Sequence, residues 1–167
     1  MKFDSIPALT LPKIGFGTWK IGGGSRPDLK ADPVSLTALH SEELLGRAIR
    51  ESGVRREAIF IASKVQPSHL KYEQVLKACE DSLKRLGMDY LDLYLIHWHS
   101  TSAKYEDTFR ALNKLVRDGK VRHLGVSNFN LRLLKLSQEL SETSIITNQV
   151  PYSVSDRSYV KNGVLKY

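Results

Sequence analysis

A chain of 167 residues, 41% hydrophobic and 26% charged, has room for one domain with a real core and reads as globular. No apolar run is long enough to span a bilayer, the N-terminus MKFDSIPALTLP lacks the continuous apolar stretch of a signal peptide, and a lone cysteine, Cys79, excludes an internal disulfide; the expectation is a cytoplasmic protein with no membrane partner. The net charge of +7 comes from 25 Lys and Arg scattered through helical segments without an aromatic-interleaved basic block, which predicts a soluble surface or attraction to small anions rather than nucleic acid binding.

Along the chain, β-branched or apolar runs alternate with amphipathic stretches. Lys13–Trp19 and Ile59–Val65 read as strands. Tyr72, Val75, Leu76, Cys79, Leu83 and Leu86 follow helical spacing up to Gly87, a good helix stop. Leu91–Trp98 is the next strand, and Tyr105, Phe109, Leu112, Leu115 and Val116 form a second helical face that stops at Gly119. Val121–Asn128 is a strand, Asn128 or Asn130 can cap the leucine-rich helix that runs to about Leu140, Ile145–Val150 is a fifth strand, and Ser158 starts a last helix.

Strands alternating with helices predict a parallel sheet covered by helices, and continuous apolar strands predict burial on both faces. Four strands in succession finish on functional-looking residues: Lys64, His97-Trp98, Ser127-Asn128 and Asn148-Gln149. Each alone is an ordinary polar strand end. Together they mark the face on which parallel barrels build their sites. The run YLDLYLIHWHS (90–100) raises a separate question, because a buried strand rarely ends on two imidazoles. On extended backbone His97 and His99 point the same way, but a zinc site needs a third ligand and none stands at ligand spacing, so no metal is expected.

The segments GFGTW (15–19), HSEELLGRAI (40–49), SKV (63–65), DLYLIHW (92–98), GKVRHLGVSNF (119–129) and TNQVPY (147–152) resemble, in this order, the aldo-keto reductases. The resemblance implies an α/β fold, a parallel (β/α) barrel of TIM type, present here as a partial barrel of about five strands within a single domain, 1–167. It implies NADP(H), with NAD(H) as the alternative, and a small carbonyl substrate reduced by hydride transfer. Matched by position, Lys64 is the lysine that lowers the pKa of a catalytic tyrosine, and His97 is the histidine that orients the carbonyl. Gly17, Thr18, Ser127, Asn128 and Gln149 are cofactor contacts; Trp19 and Trp98 line the substrate pocket.

Two departures from the family pattern stand out. The family's Asp-x-x-x-x-Tyr segment, which supplies the proton-donating tyrosine, belongs between the first strand and HSEELLG, where this chain reads DPVSLTALHSEELLGRAI. At about 100° per residue, Leu36 and Leu39 fall opposite Leu45, Ala48 and Ile49, so the stretch predicts two half-helices with a seam near Leu39-His40 rather than one amphipathic helix. The last two strands of the barrel, with the cluster that reads a 2′-phosphate, are also expected to be absent, leaving open sheet edges that offer a route to self-association. The alternative reading is a catalytically inactive remnant that serves as a binding or assembly module. Gly22-Gly23-Gly24 lacks the form of a phosphate-binding loop, and Cys79 is expected in the core.

Overall fold

The computed structural model describes Gly17 and residues 33–167, with side chains from His40 onward. The expected strand Lys13–Trp19 lies outside the described residues. The chain divides into two compact units, residues 1–60 with 85–87 and residues 61–84 with 88–167.

In the first unit, helix α1 (Pro33–Ser52) is continuous across the predicted seam. A Cβ on Gly46 would collide with the backbone of Leu86, so the helix meets that segment through a residue with no side chain, and a hydropathy pattern cannot register the contact. Polar groups complete it: Arg50 Nη1 donates to the Leu86 carbonyl at 3.2 Å, and the half-buried Arg85–Glu42 pair closes at 2.8 Å.

The second unit is built on four parallel strands in chain order: β1 (Ala62–Val65), β2 (Leu91–Ile96), β3 (Val121–Ser127) and β4 (Ile145–Gln149). Between them run α2 (Tyr72–Leu86), α3 (Tyr105–Arg117) and α4 (Leu131–Leu140), and a short α5 (Ser158–Lys161) follows β4. The expected α/β alternation is present, with strands one to three residues shorter than the apolar runs. All six residues of β2 are buried, as its place between β1 and β3 requires.

Register assigns the faces. Val65, Ile96 and Val126 share a row, as do Ser63, Tyr94 and Leu124, and of these Val65, Tyr94, Ile96, Leu124 and Val126 are all at 0% exposure. That face carries the dry core together with Val75 and Cys79 of α2 and Phe109 and Leu112 of α3. Cys79 is therefore a core residue, as its helical position predicts. The opposite face carries the rows Ala62–Leu93–His123 and Lys64–Leu95–Gly125.

The strand starts are devoted to stability. Asp92, 4% exposed, accepts the Ile61 N–H at 2.8 Å and the Arg122 guanidinium at 3.2 Å, and that guanidinium lies over the Tyr90 ring at 3.9 Å. Gly87 and Gly119 end α2 and α3 at positive φ (67° and 73°), which is why both stops are glycine. Asn130 caps α4, its side chain accepting from Leu133 N at 3.0 Å. Asn128 has a different task.

Candidate functional site at the strand ends

The C-terminal ends of the four strands are laced together by side chains. His97 follows the last residue of β2, and its N–H donates to the Val65 carbonyl at 3.0 Å. Its ring meets Gln66, two residues past Lys64 and therefore on the same side of extended backbone: Nδ1 and Oε1 are 3.3 Å apart. Asn128 turns the chain off β3 in the left-handed region, φ 61°, which Asn tolerates better than other residues with a Cβ. From there its Nδ2 donates to the His97 carbonyl at 3.1 Å and to Ser127 Oγ at 3.0 Å. Ser127 Oγ in turn donates to the Gln149 carbonyl at 2.9 Å, and the Asn128 N–H reaches the same carbonyl at 2.9 Å. Asn148 reinforces the end of β4 with two bonds to the Phe129 backbone, at 3.3 and 2.9 Å.

The structure thus brings Lys64, His97, Ser127, Asn128 and Gln149 to one end of the sheet, as their shared place at strand ends predicts. Trp98 follows His97 and is 48% exposed. Gly17 is exposed; Thr18 and Trp19 lie outside the described residues. His99 is exposed and sets its ring edge-on to Phe129, centroids 6.4 Å apart, because β2 ends at Ile96 and the alternation that would align it with His97 ends with it. Among the described residues, no group of three His, Cys, Asp or Glu is placed to hold a metal ion.

Two residues escape sequence reasoning. Gln66 is one; its signal is the spacing Lys64-x-Gln66, which puts both side chains on one face. Tyr105 is the other. Buried at the start of α3, its hydroxyl accepts from Ser100 N at 3.0 Å and donates to the Ser100 carbonyl at 3.3 Å, while its ring stands edge-on to Phe129 at 5.9 Å. It pins the loop that follows His97.

Electrostatics separate the two titratable groups. Burial pulls the Lys64 ammonium below the ordinary lysine range, and among the described residues no carboxylate pairs with it. His97 is held below the usual imidazole value, first by burial and then by the neighbouring Lys64 charge. Both groups favour the neutral form more than they would in water.

A nicotinamide carboxamide needs an acceptor for its NH2 and a donor for its oxygen. The donors of Ser127 and Asn128 are spent within the protein, but among the described residues Asn128 Oδ1 and the exposed Gln149 amide remain open. One acceptor and one donor therefore face the same strand ends, and the residues fit the group.

A family model described as the aldo/keto reductase family matches residues 37–167. The chain is 43% identical over 151 residues to a glyoxal reductase of Bacillus subtilis, covering 85% of this chain and 54% of the relative. It is 36% identical over 163 residues to the methylglyoxal reductase YeaE of Escherichia coli, covering 89% and 57%. Among solved structures, the thermostable aldo-keto reductase Tm1743, crystallised with the inhibitor epalrestat, superposes with a TM-score of 0.84 at 40% identity over 96% of this chain and 65% of that one. A Klebsiella pneumoniae aldo-keto reductase in complex with NADPH gives 0.67 at 35% identity over 77% and 44%. The chain spans about half the length of the curated relatives it matches.

Proposed function

The chain belongs to the aldo/keto reductase family, and from that premise we propose that its strand-end site serves the NAD(P)H-dependent reduction of small aldehydes and ketones. The observation that carries this reading is the convergence of Lys64, His97, Asn128 and Gln149 on one end of a parallel sheet, with open hydrogen-bonding groups that match a carboxamide. The names of two relatives, a glyoxal and a methylglyoxal reductase, favour small dicarbonyls as the substrate class.

When bound, the nicotinamide supplies the hydride. The residues of this chain do the remainder. Asn128 Oδ1 and the Gln149 amide orient the carboxamide, and His97, anchored at Nδ1 by Gln66, presents Nε2 toward a carbonyl. In the tautomer with the proton on Nε2, and the Gln66 amide turned so that its NH2 meets Nδ1, the neutral imidazole donates to the carbonyl without a charge that would repel Lys64.

The proton is the weak point. All seven tyrosines lie downstream of Lys64. Tyr94 belongs to the opposite, core face of the sheet, Tyr90 lies under Arg122 where β2 begins, Tyr72 lies under Arg110 at 4.5 Å, and the Tyr105 hydroxyl is engaged with Ser100. A positioned general acid contributes about 10²–10⁴-fold. The polypeptide is expected to bind NADPH and turn over methylglyoxal slower than a tyrosine-bearing relative by about that factor. This observation also favours a second reading, a module that binds the dinucleotide without turning it over. The test measures NADPH fluorescence on binding, together with turnover, for the wild type and Gln149→Ala. Weaker binding in the variant supports the site. Binding that is absent, or indifferent to Gln149, refutes it, and turnover distinguishes the reductase from the binding module.

A further inference from the structure

Lys64 stands in a setting that suits another reaction. Its row neighbours across the sheet are Leu95, 3% exposed, and Gly125, which has no side chain, and the next row on the same face is the polar one of Gln66, His97, Ser127 and Gln149. Among the described residues its amine makes no hydrogen bond or ion pair, and the family's tyrosine is not upstream to receive its influence. An imidazole sits beside it, close enough for the two charges to oppose each other. A half-buried lysine without a counter-ion among the described residues, next to a proton-carrying ring at a site read as taking carbonyls, has the parts of an imine-forming centre.

We propose that the Lys64 amine is a nucleophile that condenses with small aldehydes and α-dicarbonyls to form an imine, with His97 as the proton relay. The amine nitrogen bonds to the carbonyl carbon, and the carbonyl π bond becomes a carbinolamine hydroxyl. Neutral His97 carries a nitrogen proton to the oxygen at each stage, first to make that hydroxyl and then to release it. The carbon–oxygen bond breaks, water leaves, the nitrogen lone pair closes the C=N bond, and His97 ends neutral as it began. Nothing is oxidised or reduced, and amine plus aldehyde give imine plus water. Desolvation shifts Lys64 from the ammonium toward the free amine, which raises its share of nucleophile over that of an exposed lysine at the same pH. The proposal rests on the preceding reading only in that the site admits carbonyls; it needs no dinucleotide.

The test uses acetaldehyde and methylglyoxal with cyanoborohydride at pH 7, without any nicotinamide, followed by peptide mapping of each lysine with time. Lys64 is expected to alkylate severalfold faster than the exposed lysines. His97→Gln should slow Lys64 alone. Lys64→Arg, which keeps the charge, should remove the fast phase with an unchanged circular dichroism spectrum. Labelling of Lys64 no faster than that of exposed lysines overturns the proposal, as does a fast phase that survives unfolding in urea. An unchanged rate in His97→Gln overturns the relay. Because no dinucleotide is present, failure here is distinct from failure to bind NADPH.

Discussion

Asn128 carries two separable burdens, and replacing it measures both. Its backbone occupies φ 61° and its Nδ2 bonds the His97 carbonyl and Ser127 Oγ, at 9% exposure. Asn128→Gly keeps the backbone unstrained and removes the two bonds, each contributing about 0.5–1.5 kcal/mol, so it should cost about 1–3 kcal/mol. Asn128→Ala removes the same bonds and forces a Cβ into the left-handed region, adding about 1–2 kcal/mol. The usual helix-propensity order, in which Ala outranks Gly, is therefore expected to invert. For a chain of this length 1 kcal/mol corresponds to about 2–4 °C in Tm, so the alanine variant should melt about 2–8 °C below the glycine variant. Urea and thermal unfolding of the three proteins decide the matter. A glycine variant as unstable as the alanine one, or less stable, refutes the claim that strain is held at this turn; a wild-type Tm in both refutes the hydrogen-bond account as well.

Two further outcomes follow from the same row of residues. Gln66→Glu places a carboxylate on His97 Nδ1 and should raise the midpoint of the His97 ring in an NMR titration, whereas Gln66→Leu should leave the charge balance unchanged and broaden the ring signals as the anchor is lost; an unmoved midpoint in the glutamate variant would show that the 3.3 Å contact is not maintained in solution. Because folding depresses the His97 pKa, the unfolded chain takes up a proton that the folded one resists. His97 therefore contributes nothing pH-dependent well above its ordinary value of 6.5 and erodes stability as the pH falls below it, so urea midpoints recorded from pH 8 to pH 5 should decline less steeply in His97→Gln than in the wild type.

Where hydropathy decides the structure, the sequence was legible. Leu91–Ile96 is apolar except for Asp92 and is buried throughout, and the faces of α2 and α3 fall where a spacing of three and four puts them. Errors cluster where the determining contact has no hydropathy. α1 crosses the predicted seam, and it meets Leu86 by backbone approach at Gly46, a contact that hydropathy does not record. β1 falls short of its apolar run at the start, and β2 and β3 at the end, where the ladder gives way to single main-chain bonds from His97 and Asn128 and to the side-chain bond between them. Of the two asparagines able to cap α4, only Asn130 does so; the choice depends on a backbone angle that composition does not reveal. Gln66 was missed for a related reason: a glutamine after a strand is unremarkable until the partner across the sheet is known to be an imidazole.

The site is legible for a further reason, which bears on what the chain can do. Its supporting bonds run from Val65 and Gln66 to His97, from His97 to Asn128, and from Asn128 and Ser127 to Gln149, and every one lies within residues 65–149. None depends on a tyrosine between the first strand and HSEELLG. A change in that upstream stretch therefore leaves the bonds at the strand ends in place, because none of them draws on it. The bonds that hold the strand ends together are thus separable from any source of a proton, and Lys64 stands beside His97 as a half-buried amine.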